Sequence, residues 1–160
     1  MTVAQNARSR LAAVVIAAAV AAIAGIGGLA TDTESEWYRS LELPSWQPPG
    51  AVFGPVWTLL YALAGTSAFL AWRDVSGSRR LPVLALYAAN GILNAAWTAI
   101  FFRARRPLLA GFEILALLAT IVALIVLVRP FSRSAAAALV PYGLWVAFAA
   151  TLSWGIVARN

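Results

Sequence analysis

Apolar residues in this chain are grouped into five long blocks, which short polar stretches separate. Each block is long enough, at about twenty residues, for a helix to cross the hydrocarbon core of a bilayer. Polarity does not alternate within the blocks, as it would in the strands of a membrane barrel. The pattern therefore predicts a bundle of five transmembrane helices, at residues 11–30, 51–72, 81–102, 107–128 and 134–158.

The composition supports an all-α membrane protein. Of the 160 residues, 62% are hydrophobic and 11% are charged, and the mean hydropathy is +0.81. A soluble domain carries about 25% charged residues, so lipid must cover most of this surface. We expect one domain over residues 1–160, integral and multi-pass, with the lipid bilayer as its first partner and a bacterial cell membrane as its location.

The first block has a second interpretation. Arg8 and Arg10 precede it and small residues lie near its end, as in a secretory signal peptide. The uncharged run from Leu11 to Ala30 exceeds the roughly 7–15 residues of a typical signal-peptide core. We therefore favour a retained membrane helix.

All twelve basic residues are arginines, and most of them lie at the ends of the apolar blocks. Lipid phosphates and membrane topology explain this placement, so we expect no nucleic acid partner. Seven arginines fall on the side of the N-terminus and five on the other side. The positive-inside rule thus favours a cytoplasmic N-terminus by a narrow margin.

Residues 31–50 form the one long connection between blocks. A loop of this length in a compact bundle is usually functional or disordered. Trp37, Tyr38 and Trp46 make it too apolar for a solvated linker, and its prolines stiffen it. We predict an ordered loop that caps one end of the bundle.

Polar residues inside the third block are candidates for function, because burying them in lipid is costly. Asn90, Asn94, Trp97 and Phe101 follow at intervals that place them on one stripe of a helix. The stripe fits the lining of a binding site. The stripe is equally compatible with hydrogen bonds between helices that only hold the bundle together.

Aromatic residues also recur beside small ones in the second and fifth blocks. Trp57 and Tyr61 lie one turn apart, and Trp145 shares a face with Ala149 and Ser153. Rings beside small side chains make walls with gaps, which suit a flat ligand. The alternative is that these tryptophans anchor the protein at the membrane interface.

Glu113 is the one acid inside an apolar block. An intramembrane acid can serve as a proton or ion site. We favour the alternative that Glu113 is hydrogen-bonded within the bundle or extends towards Arg106, seven residues earlier.

The chain contains no cysteine and no histidine, and its one methionine is Met1. Disulfides, zinc–thiolate sites and Ser-His-Asp or Cys-His catalysis are therefore excluded. Strong axial ligation of a haem iron is not expected either. We predict no metal site and no required cofactor, and a bound tetrapyrrole would be held by shape, stacking and contacts to its carboxylates.

Several motifs together resemble the TspO/MBR family, which comprises bacterial tryptophan-rich sensory proteins and the mitochondrial translocator protein. They are Trp37-Tyr38, Pro44-Ser45-Trp46-Gln47-Pro48-Pro49, Phe53-Gly54-Pro55-Val56-Trp57-Thr58, Asn94, Trp97-Thr98, Phe101-Phe102, Pro141-Tyr142, Leu144-Trp145-Val146 and Phe148-Ala149. The resemblance covers nearly the whole chain from Trp37. Leu43, Asn90 and Ser153 depart from residues that are frequent in the family, and Ile156–Arg159 lacks the tyrosine of the animal cholesterol motif.

The resemblance implies a five-helix bundle, often a homodimer, with a pocket beneath the first loop for porphyrins and other hydrophobic small molecules. Carried over by motif, the lining is Tyr38, Trp46, Trp57, Tyr61, Asn90, Asn94, Trp97, Trp145, Phe148 and Ala149. We expect binding of protoporphyrin IX-type tetrapyrroles, with a regulatory or homeostatic role. The alternatives are light- and oxygen-dependent porphyrin degradation, with Trp57 and Trp145 as the implicated residues, and translocation of a porphyrin or sterol.

Overall fold

The computed structural model describes the backbone of residues 3–160 and the side chains of residues 5–160. Five of its helices are long and apolar enough to cross a membrane, which confirms the predicted all-helical, five-span architecture. A sixth helix, α2, is a single turn within the long loop. The helices are α1 (Val3–Ala30), α2 (Glu36–Arg39), α3 (Gly50–Asp74), α4 (Arg80–Thr98), α5 (Pro107–Val128) and α6 (Arg133–Val157).

The membrane helices pack as a ring in the order α1, α3, α6, α5, α4. The tightest pair is α5 with α6, and α1 closes the ring by packing on both α3 and α4. Buried side chains from α3, α5 and α6 form the main core, which includes Leu60, Leu117, Ile121 and Val146. Lipid-facing residues cover the outside, as expected from the composition.

The two ends of the bundle differ. The loop of residues 31–50, here called the lid, lies at the end where α1, α4 and α6 finish and α3 and α5 begin. This end is the lid end, and the opposite one, with the connections 75–79 and 129–132, is the far end. Residues at the helix ends set these limits. Pro107 is the first residue of α5, a position whose backbone nitrogen has no hydrogen-bond partner within the helix. The Ser132 hydroxyl caps α6 by accepting a hydrogen bond from the Ala135 N–H.

Beyond Thr98 the third membrane span is no longer α-helical, which the sequence pattern did not predict. Residues Ala99–Arg103 form a π-helical turn, in which the Ala104 N–H donates to the Ala99 carbonyl at 2.9 Å. Arg105 then adopts a φ of 55°, a left-handed conformation that is uncommon for a residue other than glycine. Such turns shift the helix face locally. Here the turn leaves Phe101 1% exposed, beneath the lid.

The lid is ordered and tied to the bundle, as its composition predicted. The Glu42 N–H donates to the Asn160 side-chain oxygen at 3.0 Å, and the Asn160 side-chain nitrogen donates back to the Glu42 carbonyl at 3.2 Å. Pro44 packs closely on α6, where a Cβ added to Gly155 would lie 2.7 Å from the proline ring. The lid is therefore held at two points near the C-terminus.

Candidate functional site

A chain of hydrogen bonds crosses the interior and joins four helices. The Tyr61 hydroxyl donates to Asn94 Oδ1 at 2.7 Å, and Asn94 Nδ2 donates to Tyr142 Oη at 3.0 Å. Tyr142 Oη donates to Asn90 Oδ1 at 3.2 Å, and Asn90 Nδ2 donates to Thr120 Oγ1 at 2.8 Å. The two asparagines on the predicted α4 stripe thus share one buried network with tyrosines of α3 and α6.

Trp57 lies against this network. Its ring centroid is 5.4 Å from that of Tyr61 and 6.2 Å from that of Tyr142, which it meets edge to face. Such aromatic contacts are favourable beyond the area that they bury. Four predicted site residues, Trp57, Tyr61, Asn90 and Asn94, are therefore brought together.

A second group of rings connects the lid to α4. Trp97 stacks on Phe101, with centroids 5.1 Å apart and planes 10° from parallel. Tyr38, from the lid, contacts the edge of Phe101 at 6.4 Å and packs against Phe102 at 5.5 Å. The predicted residues Tyr38 and Trp97 are hence linked through Phe101, which lies between the lid and the interior.

A third group lies between α3 and α6. Trp145 contacts Phe53 edge to face at 5.8 Å, and Phe148 at 5.6 Å. Trp145 and Ala149 are partly buried and pack against the main core. Of the stripe that the sequence predicted for α6, Ser153 lies on the most buried face of the helix, with Tyr142 and Val146, whereas Trp145 and Ala149 lie beside that face.

Trp46 is placed apart from these groups. Its side chain is 46% exposed, and the Arg159 guanidinium lies 5.0 Å above its ring. The ring also approaches Gly155 near the C-terminus of α6. In this arrangement Trp46 fastens the lid to α6.

Three side chains in the described part of the chain carry buried polar atoms without a hydrogen-bond partner. They are the Trp97 Nε1–H, the Trp145 Nε1–H and both carboxyl oxygens of Glu113. Buried polar atoms are paired in the great majority of cases, so each exception needs a physical explanation. Two of these three side chains are predicted site residues.

Glu113 is buried, with 9% of its surface exposed. Our expectation that it would be hydrogen-bonded or extend towards Arg106 is wrong, because neither carboxyl oxygen has a partner. The antiparallel register explains its position. The Asn90–Thr120 hydrogen bond fixes the register of the two antiparallel helices. Trp97 lies seven residues after Asn90 in α4, and Glu113 lies seven residues before Thr120 in α5, so both are displaced in the same direction, towards the lid end. Seven residues are nearly two turns, so Trp97 and Glu113 occupy facing sides of their helices at one level.

Two residues of the network were missing from the predicted site. Tyr142 could have been found, because it belongs to the motif around Pro141 and is one turn from Val146. Thr120 gave no usable signal, since membrane-helix threonines commonly bond to their own backbone. Thr58, Thr66 and Thr151 do so here, whereas Thr120 donates to the Leu117 carbonyl and also accepts from Asn90.

Comparison with known proteins places this arrangement in a family. The model of the TspO/MBR family matches residues 13–159, from within α1 to the C-terminus. The chain belongs to the TspO/MBR family. The match includes most of α1.

Named relatives come from animals, bacteria and archaea. The human translocator protein is 39% identical over 126 residues, which cover 78% of this chain and 75% of the relative. The tryptophan-rich protein TspO of Bacillus cereus is 35% identical, covering 78% of this chain and 80% of the relative. The TspO protein of Archaeoglobus fulgidus is 34% identical, covering 89% and 92%. Together with its five apolar helices, the family match makes this TspO/MBR chain a multi-pass integral membrane protein.

Proposed function

We propose that this TspO/MBR protein binds tetrapyrroles of the protoporphyrin IX type, and similar rigid hydrophobic molecules, beneath the lid. The observation that carries the proposal is the pair of buried, unpartnered indole N–H groups among aromatic rings at Trp97 and Trp145. Flat ligands stack on such rings. Indole N–H groups are donors only, so they suit the carboxylates at the edge of a porphyrin. The role that we propose for this binding is regulatory or homeostatic.

The lid end is the entry that the packing favours. The Tyr38 and Trp37 rings contact Phe101 mainly edge to face, whereas the backbone hydrogen bonds that tie the lid to the C-terminus are those of Glu42 with the Asn160 side chain. A porphyrin must displace ring contacts here rather than the hydrogen-bonded network below. Ring contacts of this kind contribute about 0.5–1.5 kcal/mol each, which a large stacking ligand can replace.

Titration of protoporphyrin IX into the protein in lipid nanodiscs tests the proposal. Trp97→Phe and Trp145→Phe keep an aromatic ring but remove the N–H donor. A hydrogen bond to a charged group contributes about 1.5–3 kcal/mol, so we expect each variant to bind at least tenfold more weakly. Protoporphyrin dimethyl ester, which lacks the charged carboxylates, should bind both variants and the parent almost equally.

Trp72→Phe is the matched control. Trp72 stacks on Phe69 at 6.0 Å and lies under Arg80 at the far end, so its replacement should leave porphyrin affinity unchanged. Unchanged affinity in both Trp97→Phe and Trp145→Phe would overturn the assignment. An equal loss in Trp72→Phe would also overturn it, because the effect would then be general.

A light- and oxygen-dependent breakdown of bound porphyrin is a second candidate. It is favoured by the contacts of Trp57 with two tyrosines, since indole and phenol rings are the oxidisable groups of the site. Illumination of the protoporphyrin complex in air should yield a new absorbing product, absent in the dark or under argon. Replacement of Trp57 and Trp145 by phenylalanine should abolish it. Product formation at the same rate without protein would exclude an enzymatic role.

A further inference from the structure

We infer that the outer face of α5 binds an anionic phospholipid, with its phosphate at Arg129 and Arg133 and an acyl chain along the helix. This site is distinct from the aromatic groups beneath the lid. It consists of two clefts that share Val126 and therefore join. An open, shallow apolar cleft of about 640 Å³, lined by α5 side chains alone, runs along the helix, and a second open cleft of about 630 Å³ continues it at the far end.

The apolar cleft has the length and the apolar lining that suit a lipid chain. It runs from Leu115 to Leu127, twelve residues of helix, which span about 18 Å. One leaflet of a bilayer has a hydrocarbon depth of about 15 Å, half of the full core. Ala119 and Ala123 form its floor between larger side chains. The cleft thus covers the depth of the leaflet at the far end.

The second cleft supplies the charge. It is lined by Arg129 and Arg133, on either side of Pro130, at the level where α5 ends and α6 begins. Both arginines are exposed. Within residues 5–160, neither makes an ion pair or a cation–π contact. A guanidinium is well suited to phosphate, because its planar donors can contact two oxygens at once.

Three other arginines at the far end already have partners, and two more, Arg8 and Arg10, belong to α1, which packs on α3 and α4. Arg73 is paired with Asp74, and Arg79 and Arg80 lie over aromatic rings at 5.5 and 5.6 Å. Arg129 and Arg133 are therefore the pair at this end whose charge is open to a ligand beside an apolar cleft. Charge at one end and a hydrocarbon cleft at the other favour a phospholipid over a free anion or a second protein chain.

Native mass spectrometry of the full chain, released from micelles containing phosphatidylglycerol or phosphatidylcholine, tests the inference. We expect phosphatidylglycerol to bind more tightly to the parent protein. Each arginine near anionic lipid contributes roughly a fivefold factor, so Arg129→Gln with Arg133→Gln should weaken phosphatidylglycerol binding by about thirtyfold. Phosphatidylcholine binding should change little.

Two further variants separate the charge from the cleft. Arg105→Gln with Arg106→Gln removes the same amount of charge at the lid end. Phosphatidylglycerol affinity should then stay within about threefold of the parent, less than the roughly fivefold loss expected from one contacting arginine. Ala119→Leu with Ala123→Leu fills the cleft without touching the arginines, and should also weaken binding. An equal loss from the lid-end pair, or none from the filled cleft, would overturn the site.

Competing occupants give different results. Full competition by glycerol phosphate or inorganic phosphate would show that the arginines bind a free anion, and would overturn the lipid assignment. Conversion of a dimer to a monomer by the filled cleft, with unchanged phosphatidylglycerol binding, would show that a second copy covers this face.

Discussion

Tyr142 occupies the centre of the interior network, so its hydroxyl is the most informative single group to remove. In Tyr142→Phe the ring and its contact with Trp57 remain, while two hydrogen bonds are lost, from Asn94 Nδ2 at 3.0 Å and to Asn90 Oδ1 at 3.2 Å. Hydrogen bonds between membrane helices contribute about 0.6 kcal/mol on average and at most about 1.7. Two of them predict a loss of about 1–3 kcal/mol in the free energy of unfolding.

The two asparagines explain why the upper half of that range is expected. Each keeps another partner, Tyr61 for Asn94 and Thr120 for Asn90, so neither amide can rotate freely to recover the lost bond. One donor and one acceptor then stay buried without partners, which adds a desolvation cost.

Reversible unfolding in mixed micelles, titrated with SDS, measures this loss. Tyr61→Phe is the matched comparison, since it removes one bond to the same Asn94 and should cost about half as much. A loss below about 0.5 kcal/mol in Tyr142→Phe, or a larger loss in Tyr61→Phe, would refute the network as described.

Three other changes have defined outcomes. Gly155→Ala should loosen the lid and speed proteolysis within residues 31–50, because its Cβ would lie 2.7 Å from the rigid ring of Pro44, whereas Gly54→Ala, with open space around it, should not. Asn160→Ala should speed hydrogen exchange at the Glu42 amide, which loses its acceptor. An unchanged exchange rate would exclude this hydrogen bond between the lid and the C-terminus. Ser67→Ala removes the hydrogen bonds of the Ser67 hydroxyl with Tyr87 Oη at 2.6 Å and with the Ala135 carbonyl at 2.7 Å, near the far end. The free energy of unfolding should therefore fall by about 1 kcal/mol, while porphyrin affinity stays constant.

The sequence was sufficient for the architecture because hydropathy and length decide which segments cross a bilayer. The exact ends of the helices were predicted less well, for physical reasons. The helix α1 already includes Val3, well before residue 11, because the residues before Leu11 include good helix formers that continue the helix beyond the apolar run. The π-helical turn after Thr98 was not predicted, because its residues Ala99–Arg103 continue the apolar pattern of α4 without a glycine or proline.

Periodicity correctly predicted which residues share a helix face, but it could not predict which face the packing of neighbouring helices buries. The α4 stripe correctly placed Asn90 and Asn94 together, because residues four apart share one side of a helix. On α6 the choice of face depended on where α3 and α5 pack, and the predicted stripe of Trp145 missed Tyr142. Glu113 could not be placed from spacing alone, since its surroundings come from the α4–α5 register.

A structure of the protein with protoporphyrin IX bound in a lipid environment tests the central claim most directly. We predict that the porphyrin lies beneath residues 31–50, stacked on the aromatic rings, with its carboxylates towards the indole nitrogens of Trp97 and Trp145. A porphyrin bound on the lipid-facing surface, with the rings beneath the lid packed as described here, would contradict the account.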